Sequence, residues 1–127
     1  MSIGLVAETG EETYFETQFD IYECSDFVRH SVIPLLGKDV HAHVEKDTLP
    51  TLIRSWLNII KERDQNIELC FDHETDAVLF KRVMHFIPPW IILRNIEYHI
   101  SLLLHENFFK ERGLPEHHAL YDARANA

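Results

Sequence analysis

Residues 88–104 run Pro88-Pro89-Trp90-Ile91-Ile92-Leu93-Arg94-Asn95-Ile96-Glu97-Tyr98-His99-Ile100-Ser101-Leu102-Leu103-Leu104. Trp90, Leu93, Ile96, Ile100, Leu103 and Leu104 recur at helical spacing, and Ile91, Ile92 and Leu102 widen the stripe. The pattern predicts a central helix, apolar around most of its girth. The proline pair opens it, and Phe108 and Phe109 carry it on to a C-terminal Gly113. Arg94, Asn95, Glu97 and His99 interrupt the apolar run from Ile87 to Leu104, so it reads as a core helix and not a membrane span.

More helices are expected on either side of it. Pro115 opens a short last helix through Leu120 and Tyr121. Upstream, Asp72 or Thr75 starts a helix through Val78, Leu79, Val83, Met84 and Phe86. Ile67–Phe71 reads as a short apolar connection. Thr48 and Pro50 begin another helix, with Leu52, Ile53, Trp56, Leu57, Ile59 and Ile60 on its apolar face. Lys38–Asp47 is a loop or short strand. Asp20 and Glu23 resemble a capping box, and Ile21, Cys24, Val28, Val32 and Leu35 then predict a helix from about Asp20 to Leu36. Before it, Phe15, Thr17, Phe19 and Ile21 alternate with polar residues in strand fashion, and a β-hairpin around Thr9-Gly10-Glu11 is the competing arrangement. The expected fold is mainly α: a compact bundle of four to five helices over residues 1–127, one domain, with or without a short N-terminal β element.

Composition agrees with a packed core, at 46% hydrophobic and 26% charged residues. Cys24 and Cys70 lie far apart among apolar neighbours and read as buried, reduced thiols, with a structural disulfide as the lesser alternative. With no basic leader at Met1–Ala7 either, the expected location is the cytoplasm.

The chain carries a net charge of −9, and that charge is unevenly placed. Residues 1–28 hold Glu8, Glu11, Glu12, Glu16, Asp20, Glu23 and Asp26 and neither lysine nor arginine. A second acidic run, Asp64, Glu68, Asp72, Glu74 and Asp76, meets no base until Lys81. Tyr14, Phe15, Phe19 and Tyr22 interleave with the first run and Phe71 with the second. Carboxylates steer a basic partner and aromatics give it contact area. The predicted partner-binding residues are Glu11, Glu12, Glu16, Asp20, Glu23 and Asp26, then Asp72, Glu74 and Asp76. For the second group, helix-N-terminal acids that favour the macrodipole are the simpler alternative. Such charge opposes direct binding to nucleic acid or to an anionic membrane.

Catalytic and metal motifs are missing. Ser25, Ser31, Ser55 and Ser101 have no nucleophile-elbow context, and there is no phosphate-binding loop, dinucleotide fingerprint or HExxH. Asp72-His73-Glu74 places acid and base types side by side but has no positioned nucleophile. His41-Ala-His43, after Gly37, is similar to the glycine–HxH motif of cupins. Glu45 falls too early and Asp47 is the wrong residue, and a helical chain lacks the required barrel. His117-His118 reads as a surface pair. No enzyme activity, cofactor or metal is expected.

In general character, and in the segments Glu8–Asp26 and Leu93-Arg94-Asn95-Ile96-Glu97-Tyr98-His99, the chain resembles the immunity proteins that bacteria make against their own or sibling toxins, notably in contact-dependent growth inhibition. The resemblance implies a cytoplasmic inhibitor that neutralises a cognate toxin domain with a basic surface, often a nuclease, without cofactor or turnover. The alternatives are a nucleic-acid mimic or adaptor for another basic protein, and a small metal protein built on His41, His43 and His73.

Overall fold

A computed structural model describes all 127 residues, Met1–Ala127. In chain order its main elements are β1 (Ser2–Val6), β2 (Glu12–Glu16), α1 (Leu49–Ile60), β3 (Ile67–Phe71), α2 (Glu74–Met84), β4 (Ile91–Asn95), α3 (Leu102–Arg112) and α4 (Ala119–Asn126). β1 pairs with β2 antiparallel and β3 with β4 parallel, giving two separate two-stranded sheets. The fold is therefore mixed α/β, which corrects the expectation of a mainly α bundle. Contacts divide the chain into two compact units, one of Met1–Thr48 with Leu103–Ala127 and one of Leu49–Leu102. No helix is long and apolar enough to cross a membrane.

The second unit holds the largest correction. The central helix expected from Trp90 to Phe109 does not form. Ile91–Asn95 is a strand, Glu97–His99 a single 3-10 turn, and helix resumes only at Leu102. Ile67–Phe71, expected as a connection, is the strand beside it, with Ile67 opposite Ile91 and Leu69 opposite Leu93. Ile67, Leu69, Phe71, Ile91 and Leu93 face the covered side, while Glu68, Cys70, Ile92 and Arg94 face outward. Isoleucine and leucine without polar interruption suit a covered strand as well as a buried helix, and five residues is strand length. Asn95 closes β4: its side-chain oxygen accepts from the Glu97 N–H at 2.8 Å and turns the chain.

α2 links the two strands as the crossover of a β-α-β unit. It starts where expected, but the cap is His73, whose Nδ1 accepts from the Thr75 N–H at 3.2 Å. Leu49, Ile53 and Leu57 form the buried stripe of α1, and Ala77, Phe80 and Met84 that of α2. The Arg54 guanidinium donates to the Met84 carbonyl at 3.3 Å, satisfying an orphan acceptor at the end of α2. Leu52 and Ile59, placed on the apolar face by periodicity, are exposed.

The first unit begins with the hairpin, the arrangement that competed with a longer helix. Ala7 and Glu11 close it, and Gly10 takes the φ of 98° the turn requires. The Glu16 end of β2 is bridged by His43: Glu16 N–H donates to Ala42 and Val44 N–H donates to Glu16, each at 2.8 Å. The predicted Asp20–Leu36 helix is instead a 3-10 turn (Ile21–Glu23), a single π turn (Val28–Val32) and a second 3-10 turn (Ile33–Leu35). Asp20, Ser25 and Pro34 each favour a local turn over the continuous ladder. α4 lies along β1, and the approach is close: a Cβ on Gly4 would sit 2.4 Å from the Leu120 Cα and 2.5 Å from its nitrogen. That notch brings the start of α4 to the Tyr14 position, which pairs with Gly4 across the hairpin.

Candidate interaction surface

The turns between β2 and the first proline leave several large apolar side chains partly exposed. Phe19 is 42% exposed, Ile21 46%, Phe27 56% and Tyr22 87%. Asp20, Glu23 and Asp26 are exposed among them. The geometry is held locally. The Asp20 carboxylate accepts from the Tyr22 N–H at 2.8 Å, and Ser25 Oγ accepts from the Val28 N–H at 3.3 Å. Asp26 pairs with Arg29 at 2.8 Å. Phe27 meets the edge of His117, their ring centres 5.0 Å apart. The segment Phe19–Phe27 is thus an exposed, turn-rich strip of alternating aromatic and acidic side chains.

The other predicted acids divide between surface and interior. Glu8 and Glu11 are exposed near the hairpin turn, and the Thr9 hydroxyl bonded to Glu11 lowers the pKa of its carboxyl. Glu12 receives two bonds from the Arg124 guanidinium, from Nε at 2.8 Å and from Nη2. The bond from Arg124 holds the Glu12 carboxyl below its ordinary value. Glu16 is 6% exposed; its Oε1 accepts from the Tyr14 hydroxyl at 2.6 Å and its Oε2 from the Gly37 N–H at 2.8 Å. In the second unit Asp72 is half-buried, and Glu74 and Asp76 occupy the first turn of α2, the dipole-favoured place. Partial desolvation of its carboxyl, then the charge of Asp72, raises the pKa of Asp76.

A cleft of about 310 Å³ opens beside Glu16, walled by Tyr14, Leu35, Lys38, His118, Tyr121 and Arg124. The His118 ring lies between Tyr14 (4.7 Å) and Tyr121 (4.2 Å), and the Arg124 guanidinium stands 5.5 Å from the Tyr121 ring centre. His118 Nδ1 is buried without a hydrogen-bond partner, and desolvation lowers the pKa of the imidazole. Burial also raises the pKa of the Tyr14 phenol, helped by its bond to Glu16. A second cavity of about 520 Å³ shares Glu16 and reaches Phe19, Leu36 and His43.

Several sequence expectations change here. His117 is exposed, but His118 is half-buried in a ring stack, so the two are not a surface pair. Neither cysteine is buried: Cys70 is exposed and Cys24 partly so, and no disulfide joins them. His41 and His43 are exposed and His73 caps a helix; no cluster of metal-ligating side chains forms. His118, Tyr121 and Arg124 were missed as site residues. Tyr14 and Glu16, two apart on one strand, share a face by periodicity alone, whereas nothing in sequence links them to a helix a hundred residues on. No protein-family model matches the chain, and no characterised protein matches it in sequence.

Proposed function

We propose that the chain is an inhibitory binding protein of the toxin-immunity kind, and that it holds a basic protein domain, such as a nuclease toxin, through Phe19–Phe27. The observation that supports this reading most is the strip itself. Four large apolar side chains stand in water among three exposed carboxylates, within nine residues that contain no base. Exposed apolar residues in such a cluster mark contact surfaces more often than scattered ones do. Aromatic anchors ringed by charge are the arrangement that dominates binding energy in many interfaces. A nuclease cleft is basic because it holds phosphates, so the net charge of −9 would speed encounter with it.

The experiment is recovery of the partner from the native cell on the tagged chain, identified by mass spectrometry, followed by assay of the partner's own activity. The expected partner is basic, and stoichiometric addition of the chain abolishes its activity. An acidic partner, or one bound equally well by a Tyr22→Ser, Glu23→Lys, Phe27→Ser variant, would overturn the reading.

A further inference from the structure

The cleft beside Glu16 holds a buried carboxyl group that takes part in no ion pair. Glu16 is 94% removed from water, yet no lysine, arginine or histidine pairs with it. The Met1 ammonium and the His118 imidazole both sense its charge, but neither forms an ion pair with it, and the ammonium donates to the Thr17 carbonyl at 3.2 Å. A carboxylate has about four acceptor positions, and Tyr14 and Gly37 use two. A buried charge lacking a partner is costly to keep. Glu16 is also the one residue that lines both cavities, so its remaining acceptor capacity lies beside space that a ligand can enter.

The walls narrow the choice of ligand. Arg124 reaches the cleft but is committed to Glu12 by two bonds. His118 has its ring faces against Tyr14 and Tyr121, and burial favours its uncharged form. Lys38 is the one lining cation without an ion pair, and Asp39 follows it on the same rim. An anionic ligand would have Lys38 in its favour and the buried Glu16 against it. A cation gains the Glu16 carboxylate, with Leu35, Leu120 and Tyr121 to cover its aliphatic part. Among cations, a guanidinium suits the site better than an ammonium. It is planar and weakly hydrated, lies well against aromatic rings, and presents paired donors to a carboxylate. A volume of about 310 Å³ accommodates a group of side-chain size.

We propose that this cleft binds a guanidinium carried on a short aliphatic chain, with Glu16 as its counter-ion. The group comes either from an arginine of a protein partner or from a free guanidine compound. The proposal does not rest on the Phe19–Phe27 surface, and Tyr22→Ser serves as the control that leaves the cleft intact.

The test is a titration of the ¹⁵N-labelled chain followed by NMR, with butylguanidine, butylamine, an acetyl-arginine methylamide and inorganic phosphate as probes. Butylguanidine is expected to shift the Gly37 and Tyr14 amides saturably, and more tightly than butylamine. Glu16→Gln should weaken it about tenfold or more, the loss of a charge-assisted pair. Lys38→Gln alters only an exposed side chain and should tighten it, which keeps the test open if Glu16→Gln unfolds. Tighter binding of the arginine derivative than of butylguanidine assigns the site to a protein side chain, equal binding to a free guanidine; both support the proposal. Shifts that appear with phosphate instead, unsaturable shifts, or binding insensitive to both variants would overturn it.

Discussion

Gly4→Ala tests how the first unit is built. Gly4 lies within β1, and α4 crosses it so closely that an added Cβ falls 2.4 Å from the Leu120 Cα, 2.5 Å from its nitrogen and 2.7 Å from the Ala119 carbonyl carbon. Non-bonded carbons rest at about 3.5–4.0 Å, so something must yield by about 1 Å. All three colliding atoms are backbone, and no rotamer change relieves them. Either α4 withdraws or the hairpin bends, and both disturb the Tyr14–His118 contact and the Glu12–Arg124 pair. Overpacking costs about 1–3 kcal/mol in general, and a backbone collision belongs at the upper end, about 3 kcal/mol. At roughly 4 °C per kcal/mol for a chain of this size, Tm falls by about 12 °C. Urea unfolding followed by circular dichroism, with a thermal scan alongside, measures both. Gly113→Ala is the companion: its Cβ meets nothing within 4 Å, but its φ of 60° is left-handed, so about 1 kcal/mol is expected from strain alone. A Gly4→Ala loss below that of Gly113→Ala would refute the close seating of α4 on β1.

Arg124→Leu and His118→Phe probe the same contacts, and Ile91→Ala probes the second unit. Arg124→Leu removes the bidentate pair with Glu12; both side chains are about a third exposed, so about 0.5–1 kcal/mol is expected, shrinking at high salt. Because Glu12 titrates below its ordinary value in the fold, that stability is present above pH 4.5 and fades as pH falls through the lowered value, a limb Arg124→Leu should flatten in urea midpoints taken against pH. His118 has the opposite chemistry and the same direction. Its folded pKa lies below 6.5, so the unfolded chain takes the proton first, and stability drops as pH falls from about 6.5 towards the lowered value. His118→Phe should remove that part of the slope, and an unchanged slope would contradict the burial of the imidazole. Ile91→Ala, at a position 6% exposed, should cost about 2–4 kcal/mol if Ile91–Asn95 is a strand covered on one face. Hydrogen exchange through Ile91–Ile96 provides the independent check, since a strand paired along one edge protects alternate amides, Ile96 among them, and a loop protects none.

Where local chemistry was sufficient, sequence was informative. Thr48-Leu49-Pro50 with an apolar stripe marked α1, and acids before an amphipathic run marked α2 within two residues. Gly10 marked the hairpin and Gly113 the end of α3, each with positive φ. Trp90-Ile91-Ile92-Leu93 defeated the reading because so short an apolar run fits a strand and a helix alike, and the outward-facing Ile92 hides the alternation. Only the partner strand at Ile67–Phe71 distinguishes the two, and that pairing is non-local. Asp20–Leu36 failed for a different reason. Its apolar spacing is helical, but Asp20 and Ser25 accept from nearby N–H groups in local turns, and Pro34 lacks the N–H that a continuous ladder needs. That failure matters for function, because the turns that replace the helix carry the partly exposed Ile21, Tyr22 and Phe27, next to Phe19. The acid-rich first 28 residues were legible from composition. The division of their carboxylates was not: Glu12 and Glu16 are claimed by Arg124 and by Tyr14 with Gly37, while Asp20, Glu23 and Asp26 stay on the surface.

The proposed binding of a basic protein by Phe19–Phe27 is decided by affinity. The most direct measurement is the dissociation constant of the recovered partner at low and at physiological ionic strength, for the native chain and for the Tyr22→Ser, Glu23→Lys, Phe27→Ser variant. Loss of two aromatic anchors and reversal of one carboxylate should weaken binding by at least about 100-fold and reduce its dependence on salt. An affinity within about twofold of the native chain, with an unaltered salt dependence, would contradict it.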